Sequence, residues 1–205
     1  ALKAAGVNLL GHSFGGGATM EPALTSPERI DALVLADVGG LNLNLQPAPE
    51  TQKPSIVERF LGTPFVRNPI LAATATNPLF TKTLISSMLL DPADATEETI
   101  SILQEPLVLQ DATNTLGDWL KTVLGPQEVS LTSDPANYQK LTMPALIVWG
   151  DSDRVIPLLE GEYLQDILPN AELVVMEGVN HIPHLEDQAK FIEVVLAFLQ
   201  SKMSP

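Results

Sequence analysis

The segment Gly11-His12-Ser13-Phe14-Gly15-Gly16-Gly17 constrains the fold of this chain more than any other. It follows a short apolar run at 6–10 (Val7, Leu9, Leu10) and precedes helical spacing at 18–24, which predicts strand, tight turn, helix. A serine on so sharp a turn sits in strained backbone. Its neighbours must be small if the strand and the helix are to approach each other. The Gly11-x-Ser13-x-Gly15 pattern at that junction is a nucleophile elbow, and the helix N-terminus turns the N–H of Phe14 toward a developing oxyanion. The bland alternative is a glycine-rich packing turn, and the flanking strand and helix weigh against it.

The rest of the chain supplies the partners of that unit. A leucine- and valine-rich run at 32–36, apolar on both faces, suits a buried parallel strand and stops at Asp37-Val38-Gly39-Gly40. Strand character returns at 143–149, ending in Gly150-Asp151-Ser152-Asp153, and again at 172–176, ending in Glu177-Gly178-Val179-Asn180-His181. A helix is predicted between them at 157–168. An amphipathic helix at 185–199 closes the chain, with Leu185, Phe191, Ile192, Val195, Phe198 and Leu199 on one face. Alternating strands and helices predict an α/β fold, a parallel sheet flanked by helices. Between about 41 and 141 the strand-like runs vanish and Pro and Asn punctuate the sequence. Helices are predicted there at 55–61, 79–90, 97–110 and 116–124, with Asp91-Pro92 as a stop-and-turn pair and Asp94 as the cap of a capping box with Glu97. The expected organisation is a split core, 1–40 with 141–205, and an inserted helical cap or lid at 41–140.

Composition narrows the function classes. The 205 residues carry 25 acidic against 11 basic side chains, a formal charge of −14, so the average surface repels nucleic acid and anionic membrane, and no nucleic-acid partner is expected. With 45% hydrophobic residues the chain has enough apolar material for a true core. No apolar run approaches the roughly 18 residues a membrane-spanning helix needs, so no integral membrane segment is expected. The absence of cysteine excludes disulfides, thiolate metal sites and a Cys nucleophile, and is compatible with a cytoplasmic location. Composition does not give the oligomeric state.

A serine hydroxyl is a weak nucleophile and needs a base that is itself oriented by a carboxylate. There are three histidines. His12 lies on the strand side of the serine, is expected to point away from it, and reads as a packing or strand-end residue. His184, at the start of the last helix, reads as a surface or supporting residue. His181 lies on the loop after the last strand, at the edge of a parallel sheet where ligand sites collect, and is the chosen base. Three aspartates, Asp37, Asp151 and Asp153, stand at strand ends as candidate orienting acids. Asp37 reads either as a supporting or alternative acid or, in the favoured reading, as a strand-end carboxylate bonded to loop N–H groups. Strand position does not separate Asp151 from Asp153.

Three blocks carry a resemblance: Gly11-His12-Ser13-Phe14-Gly15-Gly16; Val148-Trp149-Gly150-Asp151-Ser152-Asp153-Arg154-Val155-Ile156-Pro157; and Gly178-Val179-Asn180-His181-Ile182-Pro183-His184-Leu185-Glu186. Their order of serine, acid, histidine resembles the α/β-hydrolase superfamily, and the resemblance runs the length of the chain. It implies that Asp153, just before the Arg-x-x-Pro stretch, is the acid, that His181 is the base, that Glu186 starts the last helix, and that 41–141 is the family's variable cap. Members of the superfamily carry several strands and a His-Gly loop before the elbow, and that loop supplies a second oxyanion donor. Nothing here matches it. The resemblance therefore implies a C-terminal portion of the fold whose first half lies upstream of Ala1 or was lost.

The expected function is a serine hydrolase acting on a small or medium apolar ester through an acyl-enzyme on Ser13, with His181 as base, Asp153 as orienting acid and the Phe14 N–H at the oxyanion. No cofactor or metal is called for. A missing oxyanion donor costs on the order of 100- to 1000-fold in turnover, so this chain alone is expected to be weakly active or inactive. A serine at the elbow argues against haloalkane dehalogenases and epoxide hydrolases, which use an aspartate there. Carbon–carbon bond hydrolases of ring-cleavage products, lactonases, thioesterases and cofactor-free haloperoxidases remain alternatives. A non-catalytic α/β-hydrolase-like ligand-binding protein is the alternative from another class.

Overall fold

The computed structural model describes residues 6–39, 41, 63–124 and 131–202. The helix expected at 55–61 lies outside them. The chain divides into two compact units, one formed by Ala1–Leu45, Met88–Leu90 and Ser130–Pro205, the other by Gln46–Ser87 and Asp91–Val129.

The first unit is built on a parallel sheet of four described strands in the order β1 (Val7–His12), β2 (Ile30–Ala36), β3 (Ala145–Gly150) and β4 (Ala171–Met176). In register, Gly11 faces Leu35, Leu35 faces Ile147 and Ile147 faces Leu173, so the C-terminal ends of all four strands open on one edge. Strand residues alternate between the two faces of a sheet, and both faces of the central strands are covered. Leu33, Leu35, Ile147 and Trp149 pack with Met20 and Ala23 of α1 (Phe14–Thr25) and Leu164 of α7 (Leu158–Ile167). Ala32, Val34, Ala36, Leu146 and Val148 pack with Phe191, Val195 and Phe198 of α9 (Gln188–Lys202). Fully burying one such Leu, Val or Phe stabilises a fold by roughly 1.5–3 kcal/mol, so β2 and β3 are the most strongly fixed strands.

Several element bounds differ from the sequence reading for identifiable reasons. Pro144 has no N–H to donate, so β3 starts at Ala145, while the Pro144 carbonyl still accepts from Leu33. The closing helix is broken at Asp187: Pro183–Glu186 forms the single turn α8, and α9 starts at Gln188, so Glu186 does not begin the last helix.

The second unit is helical in its described residues: α2 (Pro64–Ala73), α3 (Pro78–Met88, its last residue counted with the first unit), α4 (Glu97–Gln104) and α5 (Ala112–Leu124). Leu71 and Ile100 are among its buried residues. The Arg67 guanidinium of α2 lies buried over Gly117 of α5, where a Cβ would collide with it, and donates to Asp118 at 2.9 Å. The helix expected at 97–110 stops at Gln104 because Pro106 follows, and the chain continues as a 3-10 turn over Glu105–Val108. Its cap is Thr96, which accepts from the Thr99 N–H at 3.1 Å, and not Asp94, which ends the 3-10 turn Pro92–Asp94. A short helix, α6 (Pro135–Tyr138), belongs to the first unit. No described helix is long and apolar enough to cross a membrane.

Candidate functional site

The loops that follow the four strands meet at the C-terminal edge of the sheet. After β1 the chain turns at Ser13 with φ 51° and ψ −127°, a left-handed conformation that non-glycine residues rarely adopt. Three backbone hydrogen bonds hold it there: the Ser13 N–H donates to Ala36 O at 3.1 Å, and the Ser13 carbonyl accepts from Gly16 and Gly39, each at 2.9 Å. The glycines that permit the turn are Gly11, where a Cβ would overlap Thr19 Oγ1 and the Gly15 carbonyl, and Gly16, where it would overlap Val38. A Cβ at Gly15 meets nothing within 4 Å, so the close packing expected of the motif applies to Gly11 and Gly16 and not to Gly15.

The loops after β3 and β4 come together because Gly150 leaves no side chain between them; a Cβ there would strike the carbonyls of Val179 and Asn180. Asp153 wraps its own loop. Its Oδ1 accepts from the N–H groups of Val155 (2.7 Å) and Ile156 (2.9 Å), and its Oδ2 accepts from His181 Nδ1 at 2.8 Å. On the other side of the imidazole, Nε2 lies 2.9 Å from Ser13 Oγ, which donates to it. The structure thus brings Ser13, His181 and Asp153 into one hydrogen-bonded line, with the His181 and Asp153 side chains buried. Burial alone pushes the Asp153 carboxyl up, but the bonds from His181, Ile156 and Val155 outweigh it and hold the group below its ordinary value. Asp151 is turned elsewhere and accepts from the Gly178 N–H at 3.0 Å. Phe14 is the first residue of α1, so its backbone lies at the positive end of that helix.

The other two histidines are neither catalytically placed nor idle. His12 Nε2 donates to the carbonyl of His181 at 2.7 Å, and its ring lies edge-on to His184, 4.7 Å between centroids. Burial pushes its pKa down to about 4, which keeps it a neutral donor over the ordinary pH range. The expectation of a packing residue pointing away from the serine thus missed a contact with the backbone of the candidate base. Glu186 was missed more completely: its carboxylate accepts from the N–H groups of Asn180 (3.1 Å), Ile182 (3.0 Å) and Leu90 (2.6 Å), and so brackets the loop that carries His181. The signal available in the sequence was its position four residues after Ile182, within one turn of helix. Asn180, fully buried, accepts from the Arg154 N–H at 2.8 Å and ties the two loops together.

Asp37, at the end of β2, is fully buried with φ 41°. Its Oδ1 accepts from the Gly150 N–H at 2.9 Å, while its Oδ2 has no hydrogen-bond partner. Of the two readings open for this residue, the strand-end carboxylate bonded to a loop N–H describes its geometry. Among the described residues, Asp37, Asp153 and His181 form the one cluster compact enough to hold a metal ion, with donor atoms within 4.8 Å of one another, but the imidazole nitrogen on that side is already bonded to Asp153.

Comparison with known proteins gives a consistent family assignment. Residues 1–188 match the family model described as alpha/beta hydrolase fold. A curated relative, the 2-hydroxy-6-oxononadienedioate/2-hydroxy-6-oxononatrienedioate hydrolase of Burkholderia vietnamiensis, is 29% identical over 204 residues, covering 94% of this chain and 62% of the relative. An uncharacterized protein of Mycobacterium tuberculosis is 26% identical over 204 residues, covering 95% and 56%. The chain therefore spans just over half the length of the curated relatives it matches. Among solved structures, the 2-hydroxy-6-oxo-6-phenylhexa-2,4-dienoate hydrolase of a Rhodococcus species has the same fold, with a TM-score of 0.65 at 23% identity over 96% of this chain and 64% of that one. By the family match, the strand order and the turn at Ser13, this chain belongs to the alpha/beta hydrolase fold family.

Proposed function

We propose that the protein is a serine hydrolase that cleaves a small or medium apolar ester through an acyl-enzyme on Ser13. The observation that carries this reading is the line of two hydrogen bonds, Ser13 Oγ to His181 Nε2 at 2.9 Å and His181 Nδ1 to Asp153 Oδ2 at 2.8 Å. In the first step Ser13 Oγ attacks the ester carbonyl and its proton passes to His181 Nε2. Asp153 stabilises the imidazolium and fixes the tautomer. The oxyanion forms beside the N-terminus of α1, where the Phe14 N–H donates to it. Collapse expels the alcohol, which takes the proton from His181, and a water activated by the same imidazole then releases the acid. The helical stretch 41–140, rich in Leu, is assigned the role of a cap that selects an apolar substrate.

A second reading within the same chemistry is hydrolysis of a carbon–carbon bond in a ring-cleavage product, favoured by the likeness to the Burkholderia vietnamiensis hydrolase. The two are separated by assaying simple aryl esters against vinylogous diketones. The triad reading is tested by fluorophosphonate labelling followed by intact mass. One label is expected on the wild-type chain and none on Ser13→Ala; labelling of His181→Ala at the wild-type rate overturns the assignment of the base.

A further inference from the structure

We propose that Asp37 is a positioning residue held as a neutral carboxylic acid, whose Oδ2–H faces Asp153 and extends the line to Ser13–His181–Asp153–Asp37; this rests on the triad reading above. Asp153 and Asp37 differ in what surrounds them. Asp153 accepts from two backbone N–H groups and an imidazole, a set of donors that stabilises the anion. Asp37 has a single donor, Gly150 N–H, and a second oxygen that is buried and unpartnered, and one oxygen of its carboxyl lies within 4.8 Å of an Asp153 oxygen. Two carboxyl groups that share a dry site do not both ionise at low cost, and the one with fewer donors keeps the proton. A proton also satisfies Asp37 Oδ2 without displacing the His181–Asp153 bond, which a metal ion in the same cluster would do.

Burial, and next to it the charge of Asp153, push the Asp37 pKa up to about 8 against the pull of the Gly150 N–H; Glu186 adds to the upward push. The titratable groups facing Asp37 are thus Asp153, Glu186 and, within the same cluster, His181. The proton stays on Asp37 during the acyl-transfer steps and leaves to solvent only as the pH rises past about 8. Ionised Asp37 then adds a second negative charge beside the imidazolium that forms when His181 accepts the Ser13 proton. A charge that favours the imidazolium also favours the transition state in which that positive charge is forming, and so accelerates the step.

Two measurements on the whole chain test this. In infrared pH-difference spectra, the wild type and Ser13→Ala should show the carbonyl stretch of a buried protonated carboxyl at about pH 6.5 that disappears by about pH 9.5, and Asp37→Asn should lack it. In fluorophosphonate labelling, the wild-type rate should rise a second time, two-fold or more, across about pH 8. Asp37→Asn, which cannot ionise but still offers an N–H in the same place, should show, relative to its own plateau, no such rise across about pH 8. A wild-type spectrum without that band, a band that persists in Asp37→Asn, or a second rise that persists in Asp37→Asn overturns the proposal. The wild-type spectrum needs neither a folded variant nor a reactive serine. A protein that shows the band but is not labelled therefore defeats the triad reading and not the protonation of Asp37.

Discussion

The sheet unit and the helical unit bury their residues differently. In the first, Leu33, Leu35, Ile147, Val148 and Trp149 have essentially no surface, because helices cover both faces of β2 and β3. In the second, Phe65 and Leu79 are 89% and 85% exposed, and Val108 and Leu109 are also mostly open. The proposed catalytic residues all stand on the unit whose backbone is over-determined by packing. The difference teaches that a strained serine turn and a buried carboxyl with one oxygen left unpartnered persist only where the surrounding structure leaves no cheaper arrangement.

The contrast can be broken by substitution. Trp149→Ala removes the largest fully buried side chain and should destabilise the sheet unit by about 3–5 kcal/mol in urea titrations; a loss no greater than that of a surface change would mean β3 is not the keystone. Leu35→Ala should cost about 2–5 kcal/mol by the same measurement. Glu186→Ala strips the acceptor from three loop N–H groups and should cost about 1–3 kcal/mol, together with a fall in labelling rate as the His181 loop loosens; unchanged labelling would show that the bracket does not orient the base. A pH effect sharpens the comparison further. A carboxyl with a raised folded pKa contributes stability that is fully present below its unfolded value of 3.8 and is lost as the pH climbs through about 8. The sheet unit of the wild type should therefore weaken as the pH rises from about 4 to 8 and level off above, and Asp37→Asn should lack that loss, as read from urea midpoints. Asp153 acts in the opposite sense: its contribution is present above 3.8 and is lost as the pH falls through its depressed value. The smallest effect belongs to the helical unit, where Leu79→Ala should stay within about 0.5 kcal/mol.

The same difference governed what could be read from the sequence. β2 and β3 were legible because residues 32–36 and 145–149 are apolar at every position, which only a strand covered on both faces requires. The turn at Ser13 and the loop of His181 were legible because glycine and strand-end position mark them. Asp153 was separated from Asp151 by resemblance alone, since two residues of the same parity on one loop look alike until the N–H groups of Val155 and Ile156 are seen to gather around one of them. The contact of His12 with the His181 carbonyl spans 169 residues and that of Glu186 with Leu90 spans 96, distances over which no local pattern carries information. In the helical unit α3, α4 and α5 were found with their ends misplaced, because single residues such as Thr96 and Pro106 set them, and α2 over Pro64–Ala73 was not expected at all.

The distribution of indole rings offers a further use of the molecule. The chain has two tryptophans, Trp149 in β3, sealed and donating from Nε1 to the Ile156 carbonyl at 3.1 Å, and Trp119 in α5, 41% exposed. Each unit therefore carries its own indole in a contrasting environment, sealed in one and partly open in the other, and the sealed ring is expected to emit at the shorter wavelength. Ile156 donates its N–H to Asp153, so the Trp149 ring is anchored to the same loop as that carboxylate. With Trp119 replaced by phenylalanine, emission wavelength becomes an optical gauge of that loop, readable during labelling without any added dye.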